Sequence, residues 1–199
     1  MQPLSADEWG DDEYKAFGTL LGLPGDKVPR AGSGHAYDPL NFPMIGLLAR
    51  HPQLARAFLT FNSYLLMRGE LPARLRELVV LAVTLEHRSS FEWGQHVTMA
   101  LAAGVSEDEI ARIPLGSTEF EGHDRLVLRA AEELNANGTV SEQAWDQLVE
   151  ELGTHQAIEV VFVVGAYVTT GMAFSTWGLR AAPGSPELPD PGGGHVADT

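Results

Sequence analysis

Residues 72–104 read PARLRELVVLAVTLEHRSSFEWGQHVTMALAAG, and this stretch predicts two consecutive helices. Pro72 suits a first helical position, where its missing N–H and fixed φ are tolerated. Residues 78–85 are apolar on every side of the first helix, which predicts that this helix is central and buried. Either Ser89 or Ser90 can cap the helix that follows. This pair of helices is therefore expected to lie at the centre of the fold.

Helical patterns continue on both sides of this pair. In the segment before it, one helix face is marked by Leu54, Phe58, Phe61 and Leu65. Further helices are expected in residues 106–113, 122–135, 141–152 and 154–177, where capping residues and stop signals bound helical stretches. No segment alternates with a period of two between turn residues, so strands are not expected. The predicted fold class is all-α.

We expect three parts along the chain. Residues 1–38 are acidic and rich in glycine and proline, which predicts an N-terminal arm with one short helix near residues 11–21. Residues 39–180 are expected to form the helical domain. Residues 181–199 contain almost no large apolar side chains, so they cannot bury enough surface to offset chain entropy, and a disordered tail is expected.

Composition and charge exclude several classes of function. The 199-residue chain carries 13 Lys and Arg against 27 Asp and Glu, a formal charge of −14, and phosphate would repel so acidic a protein. A nucleic-acid partner is therefore not expected. The chain contains no cysteine, which excludes disulfides, thiolate zinc sites and iron–sulfur clusters. The N-terminus has no basic flank and no apolar core, so a cytoplasmic location is expected.

The last predicted helix leaves two alternatives open. Residues 160–179 carry no charge and are long enough to cross a bilayer. The same stretch contains glycines, threonines and a serine, and it lacks flanking basic clusters. A helix that is apolar all round can equally be buried in a core or at a subunit contact. We favour burial, and we do not expect a membrane partner.

The pair of helices also holds the best candidates for chemistry. Ser89, Glu92 and His96 are spaced i, i+3 and i+7, so they share one helix face. Imidazole titrates near neutral pH and a neighbouring carboxylate can orient it, so Glu92 and His96 form a plausible proton-transfer pair. Glu77 precedes the apolar run of the other helix, and a carboxylate buried there must be paired, protonated or functional. The alternatives are a solvated Glu92–His96 pair and a structural ion pair of Glu77 with Arg74, with Arg76 or with a residue of another helix.

The residues around this pair also bear on how a substrate or a metal ion could bind. An anionic substrate needs a local cation, and Arg74 and Arg76 are the nearest cations in the sequence, so both are candidate substrate-binding residues. Ser89 is a further candidate, although a capping role suits it as well, and Tyr167 is a candidate pocket wall. A glutamate and a histidine one turn apart supply two ligands with no second motif to complete a shell, so no metal site is expected.

These residues resemble the carboxymuconolactone decarboxylase and alkylhydroperoxidase D-like family. The similar pieces are LPARLRELVVLAV, SSFEWGQHVTMALAAGVSEDEI and QAIEVVFVVGAYVTTGMAF, spread over roughly residues 40–180. Their shared order is Arg-Glu in a buried helix, a short turn, and a helix with His in its first turns. The resemblance implies an all-α, alkylhydroperoxidase D-like helical bundle that assembles into trimers or hexamers, with pockets near subunit contacts.

The resemblance also implies which chemistry is available. The peroxidase members carry Cys-x-x-Cys-x-x-x-His, with a relay glutamate in the preceding helix. Aligned on His96, those cysteines fall at Ser89 and Glu92, and the relay glutamate falls at Glu77. Both sulfurs are missing, so thiol peroxidase activity is not expected. The set instead resembles the decarboxylase members, which work without a cofactor, and this implies catalytic roles for His96, Glu92 and Glu77.

The leading hypothesis is a cofactor-independent decarboxylase, a carbon–carbon lyase, that acts on a small cyclic carboxylic acid or lactone. An isomerase or hydrolase that uses the same residues is one alternative, since proton transfer next to a carbonyl needs similar groups. A non-catalytic, ligand-binding oligomer is another. The expected partners are a small-molecule substrate and further copies of the chain, in a trimer or hexamer.

Overall fold

The computed structural model describes residues 1–190, and this part of the chain is helical without strands. The predicted all-α fold class is confirmed. The α-helices are α1 (Asp11–Leu21), α2 (Pro43–Leu48), α3 (Pro52–Met67), α4 (Ala73–Glu86), α5 (Ser90–Ala102), α6 (Glu107–Arg112), α7 (Gly122–Asn137), α8 (Glu142–Leu152) and α9 (Thr154–Trp177). Short 3₁₀ turns occupy several of the connections between them.

The chain divides into two compact units, the first of which comprises residues 1–68 and 176–179. Its core is built largely from the N-terminal segment, which packs through α1 against α3. Trp9, Tyr14 and Phe17 are buried together, and the centroids of the Trp9 and Tyr14 rings are 5.4 Å apart. The helix expected near residues 11–21 is confirmed as α1. Residues 1–38 are thus packed around an aromatic cluster of their own unit.

Among the described residues, the second unit comprises residues 69–175 and 180–190, and α4 is its central helix. Helix α4 packs against α5 on one side and α7 on another. The side chains of residues 78–81 are fully buried, as the apolar run in this segment predicts. The burial of the middle of α4 places Glu77 inside the protein, whereas Arg74 and Glu86 near the ends of the helix retain access to solvent.

Helix α9 contains 24 residues and is long and apolar enough to cross a membrane by length and composition alone. A core helix of a soluble protein meets the same criteria, and 56% of the most apolar 18-residue window of α9 is buried within the protein. The one acidic side chain among residues 156–177, Glu159, accepts hydrogen bonds from the N–H groups of Glu70 (3.0 Å) and Leu71 (2.7 Å). Helix α9 is therefore tied by its polar group to the chain that enters α4.

The disordered tail was expected at residues 181–199. The structure describes residues 181–190 of this segment, and residues 191–199 lie outside the described residues. The Arg88 side chain donates a hydrogen bond to the carbonyl of Pro189. Ser185 lies against Gly94 of α5 so closely that a Cβ at Gly94 would stand 3.1 Å from the Ser185 Cβ. The first part of this segment thus runs across the α5 backbone within the second unit.

One arginine joins three elements of the second unit. Arg74 in α4 donates hydrogen bonds to the carbonyl of Gly104, to Glu109 in α6 and to Asp124 in α7, and the donor–acceptor distance of each is 2.6 Å. Hydrogen bonds from Arg74 and from Ser106 lower the pKa of Glu109 to about 2, although partial burial opposes this. The pKa of Arg74 is raised by the hydrogen bonds that it donates to Asp124 and Glu109. This cluster fixes the ends of α6 and α7 against α4.

We predict that Arg74→Gln lowers the free energy of unfolding at pH 7 by about 1–2 kcal/mol, between the values typical of exposed and buried ion pairs. Because the folded-state pKa of Glu109 is depressed, its contribution is present above about pH 4.5 and is lost as the pH falls towards 2. Denaturant unfolding of the wild type and the variant at pH 7 and pH 3 should show a smaller difference at pH 3. An equal difference at both pH values would contradict this assignment.

Candidate functional site

The turn between α4 and α5 brings the two sequence-predicted halves of the site together. Glu77 lies in the first half of α4, and His96 lies in the middle of α5. The Glu77 Oε2 and His96 Nδ1 atoms are 2.6 Å apart, the distance of a strong, charge-assisted hydrogen bond. The predicted convergence of these two side chains therefore exists, and it joins two adjacent helices.

Glu92 flanks the other edge of the same imidazole. It lies one turn before His96 on α5, and its Oε2 atom is 3.5 Å from His96 Nε2. This separation is clearly longer than the contact at Nδ1. The imidazole thus has a short contact with a carboxylate at Nδ1 and a longer contact with a second carboxylate at Nε2.

All three titratable side chains are enclosed. The exposed fraction is 0% for Glu77 and 5% for both Glu92 and His96. The alternative of a solvated surface pair between Glu92 and His96 does not fit this burial. Ionisable groups are placed in such surroundings only when they are paired, because unpaired charges are strongly penalised away from water.

The two candidate arginines have different environments. Arg76 turns towards the cluster, where its Nε and Nη2 atoms donate to Glu77 Oε1 over 3.1 and 3.0 Å. Arg74 faces the Glu109–Asp124 side of α4 and makes no contact with Glu77 or His96. The ion pair between Glu77 and an arginine, which the sequence left open, is thus made by Arg76.

Helix α9 supplies the remaining wall of the cluster. The Tyr167 ring stands edge-on to the His96 ring, with centroids 4.8 Å apart and an interplanar angle of 88°. Gly171, one turn later, lies against Ser89, so that a Cβ there would be 3.6 Å from the Ser89 Cβ. Ser89 precedes α5 but its side chain makes no capping hydrogen bond. Both predicted residues, Tyr167 and Ser89, therefore lie along the same face of α5 as His96.

The alternation of small and aromatic residues from Gly165 to Met172 indicates close helix packing, and Gly171 has this role, because it lets α9 approach the start of α5. Without that close approach, the wall that carries Tyr167 would stand further from the imidazole.

The cluster holds the imidazole in its cationic form. Burial, the largest single effect on His96, lowers its pKa, but the hydrogen bonds and negative charges of Glu77 and Glu92 together raise the pKa to about 9. Burial and the charges of Glu92 and Glu77 raise the pKa of the Tyr167 phenol well above its ordinary value, so this hydroxyl keeps its proton. At neutral pH the site therefore presents an imidazolium and a neutral phenol.

The second unit also has a groove on its surface, away from this cluster. A surface groove of about 500 Å³ between α7 and α8 is lined by Arg125, Arg129, Gln147 and neighbouring residues, and it contains none of the predicted site residues. Within residues 1–190, no group of three or more His, Asp or Glu side chains is arranged to hold a metal ion. The Glu77–His96–Glu92 cluster is therefore the candidate functional site.

A helical protein with an imidazole between two buried carboxylates on consecutive helices is suited to acid–base chemistry. Residues 52–134 match the family model described as the carboxymuconolactone decarboxylase family, which confirms the resemblance predicted from the sequence. The matched segment includes Glu77, Glu92 and His96, whereas Tyr167 lies beyond it. Neither the search of curated proteins nor that of solved structures gave a match to the chain.

We predict that the His96 imidazole is cationic at pH 7 and titrates with a midpoint near pH 9. Nuclear magnetic resonance of ¹⁵N-histidine-labelled protein can follow this titration, with His96→Gln assigning the signal. Because the folded-state pKa is raised above 6.5, the pairing contributes stability below about pH 6.5, and that stability is lost as the pH rises through 9. A midpoint near 6.5 would rule out the proposed electrostatics of the cluster.

Proposed function

We propose that the protein is a cofactor-independent acid–base enzyme that decarboxylates a small cyclic carboxylic acid or lactone. The observation that carries this proposal is the buried His96, hydrogen-bonded to Glu77 at Nδ1 and loosely contacted by Glu92 at Nε2. Such a group can donate and recover a proton in a site that excludes bulk water. The family match supports a decarboxylase-like role at the level of the family.

The two edges of the imidazole would have different roles. The 2.6 Å contact with Glu77 orients the ring and stabilises its cation. The Nε2 proton, with Glu92 3.5 Å away, would be the one delivered to substrate. Glu92 would then accept or return a proton in the second half of the reaction, because it is the nearest carboxylate on that edge.

The reaction needs a place for the electrons of the broken carbon–carbon bond. On loss of carbon dioxide, the bonding pair would move into an adjacent carbonyl to form an enolate, and His96 would then transfer its Nε2 proton to carbon. The carboxylate thus leaves as carbon dioxide, and carbon gains one proton in its place. The neutral imidazole would recover a proton from solvent or through Glu92, and the cycle would close.

The positive charge that attracts the substrate would be that of the imidazolium. Arg74 and Arg76 were the candidates from the sequence, but both guanidinium groups are bonded to carboxylates of the protein. His96 carries its charge at the edge where a substrate oxygen would approach. The Tyr167 hydroxyl and Ser89 are the proposed hydrogen-bond donors beside it, since both side chains lie on this face.

Isomerisation or hydrolysis with the same residues remains an alternative reaction, and the mass of the product distinguishes it. Decarboxylation removes carbon dioxide, isomerisation leaves the mass unchanged, and hydrolysis adds water. Peroxide reduction through a thiol is not part of the proposal, because the chain has no cysteine. A chain that binds small cyclic acids without changing them would instead be a ligand-binding protein.

We also propose that the protein is a homo-oligomer, a trimer or hexamer, in the cytoplasm. Helix α9 exposes Ile158, Phe162, Gly165, Thr169 and Met172, which recur at the spacing of a single helix face. This face carries no charge, so two copies of a chain with a net charge of −14 can meet there without bringing like charges into direct contact. The open space around Gly165 would allow close approach of a second helix.

We predict that His96→Ala and Glu92→Gln each reduce turnover at least about a hundredfold and leave the fold intact, because each removes a group that moves protons. The measurement is carbon dioxide release from a panel of cyclic carboxylic acids and lactone acids, with product masses. His123→Ala is the matched control, because this histidine is exposed on α7 and pairs only with Glu151. Near-normal rates in either site variant would refute the assignment.

We predict that Met172→Lys, at a side chain that is 59% exposed, shifts the wild-type oligomer towards smaller species. A lysine there adds a charge that must be desolvated at a contact, which is unfavourable. Sedimentation velocity over a range of protein concentrations measures the effect, and Arg125→Lys on α7 serves as a surface control. An unchanged distribution would exclude this face of α9 from the interface.

A further inference from the structure

Arg76 makes an unusual contact for its position in a helix. Neighbouring residues on a helix do not face each other, yet the Arg76 guanidinium folds back onto Glu77, the next residue. Two of its N–H groups point at one carboxylate oxygen, Oε1, while the other oxygen, Oε2, bonds to His96. The two oxygens of Glu77 are therefore divided between two cations.

The two cations differ in a way that matters for proton transfer. The imidazolium loses its charge whenever His96 gives up its proton, whereas a guanidinium stays protonated throughout the working pH range. Glu77 is fully buried, and an unpaired carboxylate in such a place is strongly disfavoured. If His96 were the only counter-ion, each proton transfer would leave Glu77 buried without a partner.

We infer that Arg76 is a positioning residue that keeps the Glu77 carboxylate paired and in place after His96 has given up its proton. It acts through Glu77 and does not contact the substrate. The inference deepens the proposed function, because it explains how the imidazole can cycle between two protonation states inside a closed site. The Arg76 side chain is itself 12% exposed, so its charge is only weakly screened by water.

The charged and titratable groups that face His96 come from three helices. Glu77 and Arg76 belong to α4, Glu92 belongs to α5, and Tyr167 belongs to α9. Tyr167 keeps its proton, so it adds no charge. Removal of the Arg76 charge leaves two carboxylates and one imidazole, and this set favours the protonated imidazole more strongly than the wild-type set does.

The test is the titration of His96 in position-76 variants, followed by nuclear magnetic resonance of ¹⁵N-labelled histidine, which needs no substrate. Arg76→Gln is expected to move the midpoint upward by about one pH unit or more, because deprotonation now leaves Glu77 unpaired. Arg76→Lys, which retains the charge, is expected to keep most of the wild-type midpoint. Arg125→Gln, which removes one exposed positive charge on α7, is expected to leave it unchanged.

A role in packing alone would make the lysine and glutamine variants behave alike, and an unchanged or lower midpoint in Arg76→Gln overturns the inference. If Arg76→Gln is poorly folded, the double variant Arg76→Gln/Glu77→Gln should recover thermal stability, since the buried carboxylate that has lost one of its two cationic partners is then replaced by a neutral amide. Simple additivity of the two losses would equally overturn the inference. The readouts are independent of turnover, so failure of this inference and failure of the proposed enzyme activity are distinguishable.

Discussion

A carboxylate buried at the centre of the second unit constrains everything around it. Glu77 has no access to water, so its charge requires partners with good geometry, and the protein supplies one from the same helix and one from the next. The contact with His96 requires that α5 return alongside α4 at a fixed height. The contact with Arg76 requires that this long side chain lie against its own helix, and the side chain loses conformational entropy when it is fixed there.

These requirements explain why the centre of the fold is a pair of helices joined by a short connection. The three residues between α4 and α5 leave little choice in how the second helix packs, and Arg88 adopts a positive φ of 52° to make the reversal. The apolar side chains of α4 provide the energy that holds the pair together. The charged cluster gives this pair of helices a specific alignment. That alignment places the His96 imidazole between the carboxylates of Glu77 and Glu92.

Much of the helical fold was predictable because helices leave local patterns of apolar spacing and capping residues in the sequence. Spacing and capping identified the helices after residue 50, and Glu92 and His96 were placed on one face by their separation in sequence. Helix α2 has six residues, which is too few to show a period, and it was not predicted. The aromatic cluster of Trp9, Tyr14 and Phe17 forms only when α1 meets α3, so local proline and glycine signals could not indicate it.

The roles of the two arginines were unpredictable for a related reason. Positions 74 and 76 are separated by about 200° around the helix axis, so only one of them can face α5. Which one does so depends on Glu109 in α6 and Asp124 in α7. These acidic residues are far from Arg74 in the sequence, and both accept hydrogen bonds from it. The sequence left both pairings open for Glu77, and long-range contacts decided between them.

The attachment of Glu159 to the chain before α4 has a consequence for the position of Tyr167. Tyr167 follows Glu159 by eight residues, or about 12 Å along the helix axis, so the carboxylate acts as a fixed anchor that sets how far the ring extends over the imidazole. Sliding of α9 by one residue would swing the phenol sideways as well as lengthwise, since each step also rotates the helix. The position of the ring that packs edge-on against His96 is thus set partly by a glutamate two turns away on the same helix.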